Sequence, residues 1–172
     1  MVAIVTRRQL QQGTPKMTIA NRLKDYIEGE GVSYDTVAHH RTSTSWQSAV
    51  AAHVPGSRMA KSVVVHHELG YALAVVPSTH RIELGTLQDV MDKRLGLASE
   101  DEVVSLFDDC DIGAIPPIGA AYNIPVILDE SLDDAADIYF EGGDHKTLVH
   151  VSGRDFRNLT RGARCARFSH RA

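Results

Sequence analysis

The stretch DIGAIPPIG at residues 111–119 places two glycines around an apolar segment that contains two adjacent prolines. Pro116 and Pro117 lack a backbone N–H and hold φ at about –65°, which excludes a helix interior or a central strand. Gly113 and Gly119 allow backbone angles closed to other residues and let another group approach the main chain. Two interpretations stay open: a connector between two elements, or a loop whose backbone N–H groups bind a ligand.

Two other side chains could bring chemistry to a site, and each also has an ordinary structural explanation. Lys61 immediately precedes the apolar run SVVV. A lysine at this point of a strand is commonly a solvent-exposed edge charge, but it could project into a cleft and bind an anion such as phosphate. His145 follows the sequence EGGD and therefore lies beside a glycine turn near a strand end. Position alone favours the structural explanation for both residues.

Nine histidines raise the question of a metal centre, but their spacing does not support one. His39–His40 and His66–His67 are adjacent pairs, and neighbours in a strand point to opposite faces, so neither pair chelates easily. No HxxxH pattern, GxSxG elbow or P-loop occurs. Cys110 and Cys165 form no metal-type pair, and a buried, inert Cys110 is favoured over a nucleophile. We therefore expect neither a metal nor another cofactor.

Length and composition are those of an ordinary globular protein. The 172 residues suggest one domain with room for a sizeable core, and 43% hydrophobic and 23% charged residues are usual values. No apolar run approaches the roughly 18 residues that span a membrane, and the first residues do not form a signal peptide. Two distant cysteines fit a reducing compartment. We expect a cytoplasmic protein with no membrane partner, in which residues 1–16 form a flexible extension before a domain over residues 17–162.

The net charge of –4 is unevenly distributed along the chain. Residues 154–172 contain six arginines and a single acid, Asp155. A basic segment on an acidic body can be an electrostatic foothold for nucleic acid. A solvated helix end followed by a disordered terminus is the alternative interpretation. We treat residues 163–172 as a basic C-terminal tail.

Apolar periodicity and turn signals divide the chain into helices and strands. Helical spacing after a capping residue predicts helices over residues 18–31, 43–56, 86–96, 99–109 and 152–162. Apolar and β-branched runs predict strands over residues 32–40, 60–67, 71–77, 124–129, 136–143 and 147–152. Because strands and helices are interspersed and several strands look hairpin-joined, we predict a mixed α/β fold with helices packed on a mixed sheet.

Four stretches together resemble a known family. AKSVVV, IGAIPPIG, IPVILD and YFEGGDHKTLVHVSGRDF, in this order and spacing, are similar to the YbaK/prolyl-tRNA synthetase-associated family. That family contains the editing insertion domain of bacterial prolyl-tRNA synthetases and its free-standing relatives, and the similarity covers roughly residues 17–162. It implies a mixed α/β domain with a curved, partly barrel-like sheet. It also implies hydrolysis of the ester between a wrong amino acid and the 3′ adenosine of tRNA.

The resemblance carries over to individual positions. Lys61 matches the family's near-essential lysine before the first apolar strand, and residues 113–117 match its Gly-x-x-x-Pro loop. Asp129 matches the aspartate that ends IPVILD, and His145 stands where the alanine-editing insertion domain also has a histidine. Ser62 departs from the threonine or asparagine often found after the lysine, so the amino-acid preference stays open.

These matches imply a division of roles. The catalytic groups are Lys61, which binds the terminal phosphate or adenosine and orients the ester, and the backbone N–H groups of the loop. The N–H groups of Gly113, Ala114 and Ile115 stabilise the oxyanion that forms when water attacks the ester. A ribose hydroxyl of the substrate helps to position that water, and His145 shapes the amino-acid pocket. The remaining substrate-binding candidates are Thr42, Thr44, Ser62, Pro116, Pro117, Gly119 and Asp129, of which Thr44 could also be a simple helix cap.

The sequence therefore predicts a free-standing aminoacyl-tRNA deacylase that removes a small mischarged amino acid in trans. Alanine on tRNA-Pro is the first candidate because of His145. The expected partner is the 3′ CCA end of tRNA. An aminoacyl-tRNA synthetase or an elongation factor could hold the rest of the tRNA. Two alternatives stay open: a non-catalytic module that binds the CCA end of aminoacyl-tRNA, and a hydrolase of another small ester.

Overall fold

The computed structural model describes residues 3–5 and 19–172. The flexible extension predicted over residues 1–16, and the predicted domain start at residue 17, therefore lie outside the described residues except for one short strand at Ala3–Val5. This strand pairs antiparallel with the strand Asp35–Ala38. Within the described residues, the N-terminal stretch thus contributes an edge strand to the sheet.

Every helix and strand predicted from the sequence occurs in the described residues, with shorter bounds in most cases. The helices are α1 (Asn21–Gly29), α2 (Ser45–Ala51), α3 (Leu84–Met91), α4 (Glu100–Leu106) and α5 (Gly153–Leu159). The strands are β1 (Ala3–Val5), β2 (Asp35–Ala38), β3 (Met59–His67), β4 (Gly70–Pro77), β5 (His80–Ile82), β6 (Gly96–Leu97), β7 (Val126–Asp129), β8 (Asp137–Glu141), β9 (Thr147–Ser152), β10 (Arg164–Ala166) and β11 (Ser169–Arg171). The short strands β1, β5, β6, β10 and β11 come in addition to the predicted ones.

Side-chain caps explain where three of the helices begin. The side chain of Thr44 accepts the N–H of Gln47 at the start of α2, and Ser152 caps α5 in the same way. Ser99 and Glu102 form a reciprocal capping box at the start of α4. Such caps satisfy N–H groups that the helix itself leaves without a partner, so short helices can begin at a defined residue.

The strands form one large mixed sheet, which confirms the predicted mixed α/β class. Its order is β1-β2-β9-β8-β3-β4-β7-β10, with β6 also paired to β3. The pairs β3–β8, β4–β7 and β7–β10 are parallel, and the other pairs are antiparallel. The described sheet runs from β1 to β10 without closing, so its barrel-like character stops short of a barrel. Strands β5 and β11 form a separate two-stranded ribbon.

Residues 163–172, predicted as a basic tail after the domain, are instead part of the folded structure. β10 extends the large sheet beside β7, and β11 pairs with β5. Phe168, between the two strands, is fully buried, and its N–H donates to a carboxylate oxygen of Asp129 at 3.0 Å. In the sequence, the arginines of this segment look like those of a solvated tail, because Phe168 is the single apolar residue that anchors it.

The two faces of the sheet are covered differently. On the first face, residues such as Val64 and Val75 pack with α1, α5 and the buried part of the loop over residues 111–119. The second face is covered in two halves. One half, around Met59, lies under α2, and the other half, around Val76, lies under α3 and the C-terminal segment. The boundary between these halves is where the strand residues of the candidate site lie.

Candidate active site

The loop over residues 111–119 is a fixed part of the core rather than an exposed connector. Ala114 through Gly119 are buried, and Ile115 and Ile118 pack in the core of the first sheet face. Gly113 is exposed at the edge of the loop with φ +84°, a left-handed conformation that favours glycine. A Cβ atom there would lie 3.1 Å from Cε1 of His145. A side chain at position 113 would therefore crowd the imidazole of His145.

The backbone donors of this loop are not all available to a ligand. The N–H of Ala114 donates to the carbonyl of Asp111 at 3.0 Å and so closes a turn. Within the described part of the chain, the N–H groups of Gly113 and Ile115 donate no hydrogen bond. Of the three N–H groups assigned to the oxyanion by the resemblance, two thus have free hydrogen-bonding capacity in this conformation.

His145 is held in one orientation by the loop. Its side chain is buried, its own φ is +59°, and its Nε2 bonds the carbonyl of Ile112. A carbonyl only accepts hydrogen bonds, so Nε2 must carry the proton, and Nδ1 of the neutral ring is then an acceptor. Nδ1 is buried and has no hydrogen-bond partner among the described residues. A buried acceptor without a partner is costly, which makes this atom a candidate for contact with a substrate donor.

A chain of hydrogen bonds connects His145 to a buried carboxyl group. The N–H of Thr42 donates to the carbonyl of His145 at 3.2 Å, and Oγ1 of Thr42 lies 2.6 Å from Oγ of Ser48. The Ser48 hydroxyl then donates to Oε1 of Glu141. Thr44, three residues before Gln47, acts as the N-cap of α2 and is exposed. The structure therefore gives Thr42 a place in the site and gives Thr44 a capping role.

Glu141 is the most perturbed acid of the site, and its importance was not predicted from the sequence. The residue is 1% exposed, and Oε2 has no hydrogen-bond partner among the described residues. The pKa of Glu141 is raised to about 7, mainly by burial; the hydrogen bond from Ser48 offsets part of the rise, and the nearby charge of Asp144 adds to it. A carboxyl with a pKa near neutrality changes charge in the pH range in which enzymes work.

Lys61 lies directly beside Glu141 in the sheet. The last pair between β3 and β8 joins Ala60 to Phe140, so Lys61 and Glu141 are the next residues on the two strands. Neighbouring strands are about 4.8 Å apart, and equivalent residues point to the same face. Lys61 is half-buried, and no ion pair of the described residues includes it. Burial lowers its pKa, and the nearby positive charge of Arg81 lowers it further.

Asp129 lies on the same row as Lys61, two strands away. Val76 pairs with Lys61, and Asp129 follows Leu128, whose partner is Val75. The Asp129 carboxylate is buried and accepts hydrogen bonds from the N–H groups of Ser131 and Phe168, both at 3.0 Å. Burial raises the pKa of Asp129, but these hydrogen bonds and that of the Ser131 hydroxyl outweigh it and lower the pKa. The hydrogen bonds that Asp129 accepts therefore anchor the C-terminal segment.

The other predicted residues have mainly structural surroundings. Ser62 points to the first sheet face beside Val75, and its buried hydroxyl has no hydrogen-bond partner among the residues that the structure describes. Gly119 is needed for packing, since a Cβ atom there would lie 2.3 Å from the carbonyl oxygen of Ile124. Pro116 and Pro117 are buried in the loop.

The site is thus one arrangement around the end of β8, an interior strand of the large sheet. It runs from the loop at Gly113 through His145, the Thr42 and Ser48 hydroxyls and Glu141 to Lys61. Glu141 and Ser48 connect the predicted residues near the loop, such as His145, with the predicted residue Lys61 on β3. In the sequence YFEGG, Glu141 looks like a charge at a strand end in solvent, because nothing in the sequence shows that α2 covers this strand face.

The described residues contain no group of three or more histidine, cysteine, aspartate or glutamate side chains that could hold a metal ion. Among the same residues, no helix has the length and apolar character needed to cross a membrane. The groups that the described residues bring together at the site are backbone N–H groups, hydroxyls, one imidazole, one carboxyl group and one lysine.

The sequence and the fold together identify the family to which this domain belongs. The family model for the aminoacyl-tRNA editing domain matches residues 39–159, and the chain belongs to that family. This match confirms the resemblance drawn from the sequence. A comparison with curated protein sequences found no significant match.

Solved structures share the fold over nearly the whole chain. A proposed trans-editing enzyme for prolyl tRNA synthetase is 27% identical, with a TM-score of 0.75 over 87% of this chain and 95% of that chain. The hypothetical protein APE2540 is 25% identical, with a TM-score of 0.77 over 87% of this chain and 100% of that chain. The predicted architecture therefore agrees with that of experimentally solved relatives.

Proposed function

We propose that the protein is an aminoacyl-tRNA deacylase that acts in trans on a small mischarged amino acid, with alanine on tRNA-Pro as its first substrate. Membership of the editing-domain family and similarity to the trans-editing enzyme described above support the reaction class. The observation that carries the proposal is the hydrogen bond from Nε2 of His145 to the carbonyl of Ile112, because it holds a buried imidazole against the loop whose backbone N–H groups are the proposed donors.

In the proposed reaction, water attacks the ester carbonyl and the bond from the carbonyl carbon to the ribose oxygen breaks. The free N–H groups of Gly113 and Ile115 stabilise the oxyanion, and a fixed donor of this kind is worth about 3–4 kcal/mol. The proton of the attacking water passes, with help from the neighbouring ribose hydroxyl, to the departing ribose oxygen. Lys61 binds the terminal phosphate or the adenosine and so aligns the ester with the loop.

The amino-acid pocket accounts for the preference for a small side chain. His145 cannot swing away without losing its bond to the carbonyl of Ile112, and the Thr42 N–H holds the backbone of His145 from the other side. A wall of this kind excludes larger side chains by collision. Exclusion is the effective way to discriminate, since one methylene adds only about 1–3 kcal/mol to binding in an apolar pocket.

A second candidate function is a module that binds the CCA end of aminoacyl-tRNA without turning it over. The engagement of the Ala114 N–H with the carbonyl of Asp111 favours this candidate, because it removes one donor from the oxyanion site. On this alternative, the loop over residues 111–119 recognises the ester carbonyl and does no chemistry.

A deacylation time course separates the two candidates. tRNA-Pro would be charged separately with alanine, serine, cysteine and proline, and tRNA-Ala with alanine. We expect the wild type to release alanine from tRNA-Pro fastest and Lys61→Ala to release it at the uncatalysed rate. Lys93→Ala, an exposed lysine at the end of α3, is the matched control and should behave as the wild type. Protection of the CCA end without release of any amino acid would instead establish the binding module.

A further inference from the structure

The segment over residues 39–43, which joins β2 to α2, lies against both parts of the candidate site. On one side, the N–H of Thr42 donates to the carbonyl of His145 at 3.2 Å. On the other side, the carbonyl oxygen of Ser43 would lie 3.2 Å from a Cβ atom on Gly113. The position of this segment therefore affects the imidazole and the donor loop together.

The hydroxyl of Thr42 ties the 39–43 segment to the interior of the protein. Its Oγ1 lies 2.6 Å from Oγ of Ser48, and the Ser48 hydroxyl donates to Oε1 of Glu141. All three residues are buried. Displacement of any one of them would leave a buried polar group without its partner, which is costly, so the segment and the carboxyl group are mechanically linked.

The charge of Glu141 decides the direction of the hydrogen bonds in this chain. A carboxylate only accepts hydrogen bonds, so Ser48 must donate to it, and the single hydroxyl proton of Ser48 is then committed. Thr42 therefore donates to Ser48, and the chain ends on a negative charge. A hydrogen bond to an ionised acceptor is stronger than one to a neutral acceptor. Protonation of Glu141 removes both the charge and the constraint on direction.

We propose that Glu141 is a positioning residue for the hydrolysis of the ester. Its carboxylate, acting through the hydroxyls of Ser48 and Thr42, holds the 39–43 segment in the place from which it supports the imidazole and the donor loop. Glu141 itself is 1% exposed and acts only through these hydroxyls. This inference rests on the proposed function and deepens it, because it makes the rate of ester hydrolysis depend on the charge of a group inside the fold.

The pH at which this control operates is set by the groups around Glu141. Its pKa is raised to about 7, mainly by burial, and the charge of Asp144 in the turn between β8 and β9 adds to the rise. Lys61 is the neighbour on β3, and His39 and His145 are the titratable groups of the adjoining segments. α2 carries no charged residue, and the residue opposite Glu141 on β9 is apolar. Glu141 therefore exchanges its proton mainly between about pH 6 and 8.

Nuclear magnetic resonance tests the link between Glu141 and the 39–43 segment without any need for activity. The full-length protein, with isotope-labelled glutamate and threonine, would be titrated with acid and base. We expect the Thr42 methyl signal to follow the titration of the Glu141 carboxyl carbon, with a midpoint of about 7. In Glu141→Gln this response should vanish. In Ser48→Ala the carboxyl should still titrate, but the Thr42 signal should no longer follow it. A Thr42 signal that does not respond in the wild type, or responds equally in Ser48→Ala, would overturn the proposal.

The pH profile of deacylation gives the second readout. Glu141→Gln keeps an acceptor for Ser48 but never carries the charge. Its kcat should equal that of the wild type at about pH 6 and fall about 5- to 10-fold below it at about pH 8, with KM nearly unchanged. Comparison at the same pH cancels the titration of the substrate's amino group. Glu68→Gln, in the exposed turn between β3 and β4, is the matched control and should track the wild type.

A purely structural role of Glu141 predicts a different result. Glu141→Gln removes a buried charge and should be the more stable protein at about pH 8, so a structural effect alone would leave kcat there equal or higher. A ratio of the two kcat values that stays constant with pH would overturn the positioning role even if the wild type is an active deacylase. A protein in which Thr42 follows Glu141 but which releases no amino acid would support the link and refute the proposed deacylase.

Discussion

The buried carboxyl of Glu141 should make the stability of the protein fall as pH rises, and a single substitution should remove this dependence. Its folded-state pKa is about 7, against an ordinary value of 4.5. Because the folded state binds this proton more tightly than the unfolded chain does, protonation stabilises the fold. The contribution is fully favourable below the unfolded pKa and is lost as pH rises through the folded pKa.

The magnitude follows from the difference between the two pKa values. At about 1.4 kcal/mol for each pKa unit, ionisation of Glu141 costs the folded protein about 3 kcal/mol above pH 7. Glu141→Gln keeps an oxygen that accepts the Ser48 hydroxyl and removes the charge. The variant should therefore equal the wild type near pH 4.5 and exceed it by about 3 kcal/mol near pH 8.

Urea unfolding at several pH values between about 4.5 and 8 measures this difference. Each variant is compared with the wild type at the same pH, so that the titration of other groups cancels. Glu68→Gln, in the exposed turn between β3 and β4, is the control for loss of a carboxylate and should track the wild type. If Glu141→Gln and the wild type keep a constant difference across this range, the assignment of a raised pKa to Glu141 is wrong.

Three further predictions concern the loop, the C-terminal segment and the thiols. Gly113→Ala should destabilise the protein by about 1–2 kcal/mol, because φ is +84° there, and should slow deacylation by moving the loop; urea unfolding and a time course measure both effects. Deletion of residues 163–172 removes Phe168 from the core and should cost at least about 3 kcal/mol in the free energy of unfolding; a transition equal to that of the full chain would contradict its integration. Burial raises the pKa of Cys110 to about 12, so iodoacetamide should label exposed Cys165 first, and Cys165→Ser should abolish the fast phase seen by mass spectrometry.

The elements of the fold were predictable from the sequence where a local signal exists. The capping box of Ser99 and Glu102 predicted α4, and the two β-rich runs on either side of residues 67–70 predicted the hairpin of β3 and β4. The segments that the sequence did not indicate are short strands. β10 and β11 have three residues each, and their place depends on contacts with distant partners, such as the hydrogen bond from Phe168 to Asp129.

The candidate site, like the fold, was predictable only where the sequence carries a local signal. The glycines and prolines of the loop and the position of Lys61 gave signals that do not depend on the rest of the fold. The role of Glu141 depends on two tertiary facts, its register beside Lys61 and its cover by α2, which no local pattern records.

Release of alanine from charged tRNA-Pro under single-turnover conditions tests the central claim most directly. We expect rapid release by the wild type, release at the uncatalysed rate with Lys61→Ala, and wild-type release with Lys93→Ala. Circular dichroism would establish that all three proteins are folded. Equal release by the wild type and Lys61→Ala, or release of proline as fast as alanine, would contradict the assignment of this site to the editing of a small mischarged amino acid.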